Sequence, residues 1–168
     1  MRAAVVTISD RSFRGERPDA SGPILKRLLE AAGADLAEST LIPDDVRTIV
    51  GTLIRLADFE RCDLVVTTGG TGLSPRDVTP EATQHVIHRR LPGMEEAIRQ
   101  ESLRRTPYAM LSRGLVGARG RTLIINLPGS PKAVQECLAV VQPVLQHAVT
   151  LLRDEDPYAA HAHVEAGR

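Results

Sequence analysis

Short apolar, β-branched runs that alternate with stretches of helical spacing restrict this chain to few folds. Residues 3–8 form the first run, Asp35–Ile42 the second, ending at Pro43, and Leu64–Thr68 the third. Strands with apolar side chains at consecutive positions are buried on both faces. Between the first two, Ser21-Gly22-Pro23 opens a helix with Ser21 available as cap and Pro23 in the first turn. Its Ile24, Leu25, Leu28 and Leu29 share one face, and Gly33 stops it. After Asp44-Asp45, the residues Val46, Ile49, Val50, Leu53, Ile54 and Leu56 recur with the same period. Strand–helix–strand order requires crossovers and favours a parallel sheet covered by helices.

Further along, Thr79-Pro80-Glu81 starts a third helix, with Thr79 as its cap, and a fourth runs over residues 94–104. Residues 110–116 and Thr122–Leu127 read as a hairpin around Gly117-Ala118-Arg119-Gly120, and residues 132–152 as a long helix. Residues 11–19 are a polar loop. The expected fold is a three-layer α/β sandwich, its central sheet mostly parallel, with helices on both faces and a C-terminal hairpin. Residues 1–153 make one domain and 154–168 a flexible tail.

With only 2% aromatic residues and no Trp, the core must be aliphatic and base-stacking platforms are lacking. Lys+Arg and Asp+Glu balance at 21 each, so no overall field draws the molecule to nucleic acid or an anionic membrane. Phosphate binding, if present, must be local. The apolar N-terminal run is too short for a membrane span or signal peptide, which points to the cytoplasm. Cys62 and Cys137 lack CxxC spacing and read as buried free thiols.

Ligands of open α/β sheets bind beyond the carboxyl ends of the strands. Four loops leave in that direction: Ser9-Asp10-Arg11, Pro43-Asp44-Asp45, the stretch TTGGTGLSPRDVTPEA over residues 67–82, and Pro128-Gly129-Ser130. The third is neither a Walker A loop nor a GxGxxG fingerprint. Its Gly69, Gly70 and Gly72 nevertheless permit positive φ and close backbone approach, so their amides suit an anion, while Thr68 and Thr71 add hydroxyls. Asp44 and Asp77, each between a strand and a helix, are the candidate Mg²⁺ ligands beside bound phosphate. Helix capping accounts for one of Asp44 and Asp45 without saying which. Arg11, Arg14, Arg76 and Lys132 are loop cations within reach of a phosphate, although solvation is the commoner fate. His85 and His88, a turn apart on a helix, and His161 and His163 in the tail lack a third metal ligand.

Val6-Thr7-Ile8-Ser9-Asp10, Leu41-Ile42-Pro43-Asp44-Asp45, residues 67–80, Leu111-Ser112-Arg113-Gly114 and Leu127-Pro128-Gly129-Ser130-Pro131-Lys132 together resemble the molybdopterin-binding family. Within it they look most like the molybdopterin adenylyltransferases, both the stand-alone MogA type and the matching domain of fusion proteins such as gephyrin. The resemblance spans residues 3–152. It implies transfer of AMP from Mg-ATP to the terminal phosphate of molybdopterin, with pyrophosphate released. It also implies hand-over of the product to a molybdate-insertion enzyme and assembly as a homotrimer. Asp44 and Asp77 match the acidic positions linked to catalysis, and residues 68–72 match the glycine loop. Ser112 matches a substrate-binding serine, and Pro128-Gly129 the second ligand loop. Ser9, Asp10 and Ser130 are assigned hydrogen bonds to pterin or nucleotide. The alternative reading is a molybdopterin-binding homologue without adenylylation, serving as carrier or scaffold; the presence of both aspartates argues against it.

Overall fold

The computed structural model describes residues 1–154. In chain order these form β1 (Arg2–Ile8), a short α1 (Asp10–Phe13), α2 (Gly22–Ala31), β2 (Asp35–Ile42) and α3 (Val46–Ile54). A π-helical turn (Arg55–Phe59) prolongs α3, and β3 (Leu64–Thr68), α4 (Thr79–Val86), a two-residue β4 (Arg89–Arg90) and α5 (Pro92–Leu103) follow. After a 3₁₀ turn (Pro107–Leu111) come β5 (Val116–Arg119), β6 (Thr122–Leu127) and α6 (Pro131–Leu152). The six strands make one sheet in the order β2-β1-β3-β6-β5-β4. The first four are parallel, and β5 and β4 close one edge antiparallel.

Alternate residues of each central strand feed two separate cores, as the two-residue period of a strand requires. Ala3 and Val5 of β1, with Leu64 and Val66 of β3, pack under α2, α5 and α6 through Leu25, Leu29, Ile98, Val134, Leu138 and Val141. Ala4, Val6 and Ile8, with Val65 and Ile124, pack under α3 and α4 through Ile49, Leu53, Ala82 and Val86. This double coverage is why those strands read as unbroken apolar runs. Both cysteines are free and buried.

Several local expectations change. Residues 110–116 are not a strand: Pro107–Leu111 coil into the 3₁₀ turn and the strand starts only at Val116. The hairpin is present, but its turn is Gly120-Arg121, and Gly117 belongs to β5. A β-carbon on Gly117 would lie 2.8 Å from the Arg89 carbonyl, so the glycine marks the approach of β4, which has no pattern of its own. The polar stretch after Ser9 includes α1, capped by the Ser9 hydroxyl accepting from the Ser12 amide. Ser21 does not cap α2. The Asp19 carboxylate does so, accepting from the Ser21 and Gly22 amides at 3.1 and 2.9 Å. Thr79 is inside α4 rather than at its cap, and its hydroxyl donates to the Gly69 carbonyl. The fourth helix begins two residues before Met94, at Pro92. α4 ends at Val86, so His88 lies beyond the helix that holds His85. The expected tail and its His161 and His163 lie outside the described residues, apart from Asp154. No helix among the described residues is long and apolar enough to cross a membrane.

Candidate functional site

The parallel register sets Ile8 beside Ile42, and Thr7 and Leu127 on either side of Thr68, so four loops emerge together. They enclose a cleft of about 530 Å³. Ser9, Asp44, the whole run from Thr68 to Gly72, Asp77, Gly129 and Ser130 line it. Of the residues expected at the site, Asp10, Ser112 and Pro128 stand outside this lining. Ser112 and Pro128 instead line a second, mostly apolar cavity of about 260 Å³, which shares Thr71 and Gly72 with the first. The glycine loop is thus the wall between two cavities.

The loop's backbone is oriented by its carbonyls. Gly69 O accepts from the Thr79 hydroxyl and Gly70 O from the Thr79 amide. Thr71 O accepts from the Arg113 amide, and Gly72 O from Arg113 Nε at 2.8 Å. The amide of Gly69 donates to Leu127 O, but those of Gly70, Thr71 and Gly72 have no acceptor among the described residues. Three successive unengaged amides in a glycine loop make an anion-binding concavity. Gly70 has φ +63°, and a β-carbon there would lie 2.9 Å from Asp44 Oδ1. On Gly72 a β-carbon would lie 2.9 Å from Asp77 Oδ2. Gly70 therefore admits both the bend and its carboxylate, whereas Gly72, which does not take the positive φ expected of it, makes room for Asp77 only.

Asp44 and Asp45 divide the roles that the sequence left open. Asp45 is the cap of α3, accepting from the Thr48 amide at 2.8 Å. Asp44 is 9% exposed and faces the cleft. Its Oδ2 accepts from the Asp10 amide at 2.7 Å, and its own amide donates to Asp10 Oδ1 at 3.1 Å. Burial raises the Asp44 carboxyl above the ordinary range, and the charges of Asp10 and Asp77 add to the rise against the Asp10 hydrogen bond. Asp77 Oδ2 accepts from the Ser74 amide at 2.9 Å. Asp10 is held differently: desolvation pushes its carboxyl up, but Arg76 and the Asp44 amide outweigh that and leave it below the usual range. Asp10 is a bracket for Asp44 in this geometry.

The hydroxyls are also engaged. Thr68 Oγ1 donates to Pro128 O at 2.8 Å, and Ser130 Oγ caps α6 by accepting from the Ala133 amide. None of the four loop cations lines the cleft. Arg11 and Arg14 pair with Glu16, Arg76 reaches Asp10 and the Asp44 carbonyl, and Lys132 stands 4.0 Å from Glu136. The cation in the lining is Arg17, which donates to Ser9 Oγ at 3.3 Å, and beside it is a third carboxylate, Asp19. Both fell within the stretch read as plain loop. An Asp three residues before a helix start is a capping signal that marks Asp19, whereas nothing local marks Arg17. No group of three or more His, Cys, Asp or Glu side chains among the described residues could hold a metal by itself.

Residues 4–147 match the family described as "Probable molybdopterin binding domain". The chain belongs to the molybdopterin-binding family. It is 43% identical over 150 residues to the molybdopterin adenylyltransferase of Helicobacter pylori, covering 88% of this chain and 85% of that protein. Against the molybdenum cofactor synthesis protein cinnamon of Drosophila melanogaster it is 43% identical over 162 residues, 96% of this chain, yet spans only 27% of that longer protein. The solved structure of the molybdopterin biosynthesis enzyme MoaB from Thermus thermophilus superimposes with a TM-score of 0.86 at 47% identity, covering 92% of this chain and 97% of that one. A MogA structure gives 0.85 at 38% identity, with coverages of 90% and 99%. Family members therefore share the mostly parallel sheet and its layers of helices.

Proposed function

We propose that this chain is the molybdopterin adenylyltransferase of molybdenum cofactor synthesis, moving AMP from ATP to the terminal phosphate of molybdopterin with release of pyrophosphate. The observation that carries this reading is the charge pattern of the larger cleft. Its wall presents three unengaged amides, yet its side chains include Asp19, Asp44 and Asp77 against one guanidinium, Arg17. Such a cleft repels a bare polyphosphate but accepts one accompanied by a divalent cation. An oxygen-only set that includes the Asp44 and Asp77 carboxylates suits Mg²⁺, which takes few protein ligands and leaves positions for phosphate and water. Asp44 and Asp77 would hold the ion, and it would neutralise phosphate charge as that charge builds.

The reaction asks the protein for alignment and charge stabilisation rather than a covalent intermediate. An oxygen of the pterin's phosphate attacks the α-phosphorus, and the bond to the bridging oxygen breaks as pyrophosphate departs. The amides of Gly70, Thr71 and Gly72 hold phosphoryl oxygens, and Arg17 steadies the polyphosphate at the mouth. The second cavity, with Ser112, Thr106 and the apolar side chains of Ile98, Ala109 and Leu111, offers a pterin its flat apolar walls. Both substrates then meet across Thr71 and Gly72. Exposed Tyr108, Met110 and Leu111 beside that cavity supply surface for a homotrimer in the cytoplasm, and a molybdate-insertion enzyme receives the product.

The test combines the protein with ATP, Mg²⁺ and molybdopterin and measures pyrophosphate. Release that needs all three supports the reading. Binding of molybdopterin with no pyrophosphate would leave the carrier role in its place.

A further inference from the structure

We propose that Arg113 is a positioning residue for adenylyl transfer, holding the glycine loop and Asp77 in register although it does not line the larger cleft. This rests on the adenylyltransferase reading above. The guanidinium of Arg113 joins three points of one stretch that lies 32 to 41 residues earlier in the chain. Nε donates to Gly72 O at 2.8 Å, Nη2 donates to Asp77 O at 2.6 Å, and Nη1 pairs with Glu81 on α4. Its backbone amide donates to Thr71 O at 2.9 Å.

The two backbone carbonyls that accept from this side chain bracket the excursion between Gly72 and Asp77. Within it, Asp77 N donates to Ser74 O at 2.8 Å and Ser74 N donates to Asp77 Oδ2 at 2.9 Å, which closes the turn carrying the carboxylate. A planar guanidinium engages both carbonyls and Glu81 at once, whereas an ammonium lacks the fixed fork needed to span them. In a trans peptide a held carbonyl turns the next residue's amide the opposite way, so the Arg113 amide on Thr71 O leaves the Gly72 amide free on the far side, and Nε on Gly72 O fixes the peptide that leaves the amide run. The Arg113 side chain thereby fixes both ends of the segment that carries Asp77, and so the place of its carboxylate. Glu81 anchors the guanidinium to α4, whose Thr79 holds the first half of the loop. Arg76 braces the same loop from the other side, but 64% of its side chain is exposed, against 33% for Arg113.

The experiment compares wild type, Arg113→Gln, Arg113→Lys, Asp77→Asn and the double variant Arg113→Gln/Asp77→Asn. Pyrophosphate release, thermal midpoint, and hydrogen exchange of the Ser74, Asp77 and Thr79 amides in ligand-free protein are measured. Arg113→Gln should lower kcat by roughly 30-fold and change the KM for molybdopterin by no more than about two-fold. In the double variant kcat should fall to within about three-fold of Asp77→Asn alone, because the arginine acts through that carboxylate. The Ser74 and Asp77 amides should exchange faster in Arg113→Gln, while those of the central strands stay protected. Arg113→Lys keeps the charge beside Glu81 and should recover the thermal midpoint but not kcat. A kcat near wild type in Arg113→Gln, losses that multiply in the double variant, or unaltered exchange at Ser74 and Asp77 would each overturn the proposal. A wild-type protein that releases no pyrophosphate sinks the adenylyltransferase reading instead, and the exchange data then still decide whether Arg113 holds the loop.

Discussion

Asp44 and Asp63 sit at opposite ends of the sheet, and both are nearly buried, at 9% and 8% exposure. Asp63 precedes β3 and receives Arg153 Nε and Nη2 at 2.9 and 2.6 Å, together with the Arg2 amide at 2.6 Å. Burial pushes its carboxyl up, but these donors outweigh it and the group lies below the usual range. Asp44 follows β2 and accepts one amide, has no guanidinium on its carboxylate, and faces Asp10 and Asp77; its carboxyl is shifted upward. Similar burial with opposite shifts separates a charge that is paired within the fold from one that faces the cleft without a cationic partner on its carboxylate. Perturbed carboxylates of the second kind are concentrated at functional sites.

The sharpest test of that contrast removes a site charge without removing its shape. Asp77→Asn should lower pyrophosphate release by about 100-fold or more while the thermal midpoint stays near wild type. Retained turnover at saturating Mg²⁺ would break the assignment. Asp44→Asn should lose comparable activity, but its effect on stability should be the reverse of a normal ion-pair loss. With the folded pKa above the unfolded one, ionised Asp44 disfavours the fold; the cost is absent below the unfolded value and complete above the folded one. The variant should therefore melt at or above the wild-type temperature at neutral pH. For the same reason Mg²⁺ affinity of the wild type should fall on acidification at a higher pH than an ordinary aspartate would dictate, which Mg²⁺ titrations across pH will show.

Gly70→Val should weaken ATP binding with the fold retained, since a β-branched residue is strained at φ +63° and would press on Asp44 Oδ1. Titration with ATP and Mg²⁺ checks it. At the other end, Asp63→Asn should cost about 2 kcal/mol, below the roughly 3–5 kcal/mol of a fully buried pair because Arg153 is partly exposed, and lower the midpoint by about 5 °C. Turnover per folded molecule should be unchanged. Asp63 is lowered in the fold, so its contribution is present above the unfolded pKa and disappears as pH falls through the folded value. The melting gap between wild type and variant should close at that low pH. The smallest effect belongs to Asp45→Ala, which removes a surface cap and should reduce the midpoint slightly with little change in activity. An inactive Asp45→Ala beside an active Asp44→Ala would reverse the two assignments.

The amino-acid sequence by itself determined the layered α/β class, because helical spacing and doubly buried strands are local periodicities that survive without coordinates. It also singled out the glycine loop, Asp44 and Asp77, because positive-φ residues and carboxylates between strand and helix carry local signatures. Tertiary structure alone decided which neighbour faces the cleft: Asp45 takes the Thr48 amide and Asp44 lines the cleft beyond the β2–β1 pairing. It also decided that Asp10 braces Asp44, that Ser112 belongs to the second cavity, and that Arg17 reaches the first. The 3₁₀ turn over Pro107–Leu111 has the same origin: the segment is apolar enough for a strand, but it packs beside α5 and never reaches the sheet. Arg113 is the clearest case. Its acceptors lie 41 and 36 residues earlier in the chain, a separation across which no sequence period operates, so only the folded backbone brings them to one guanidinium.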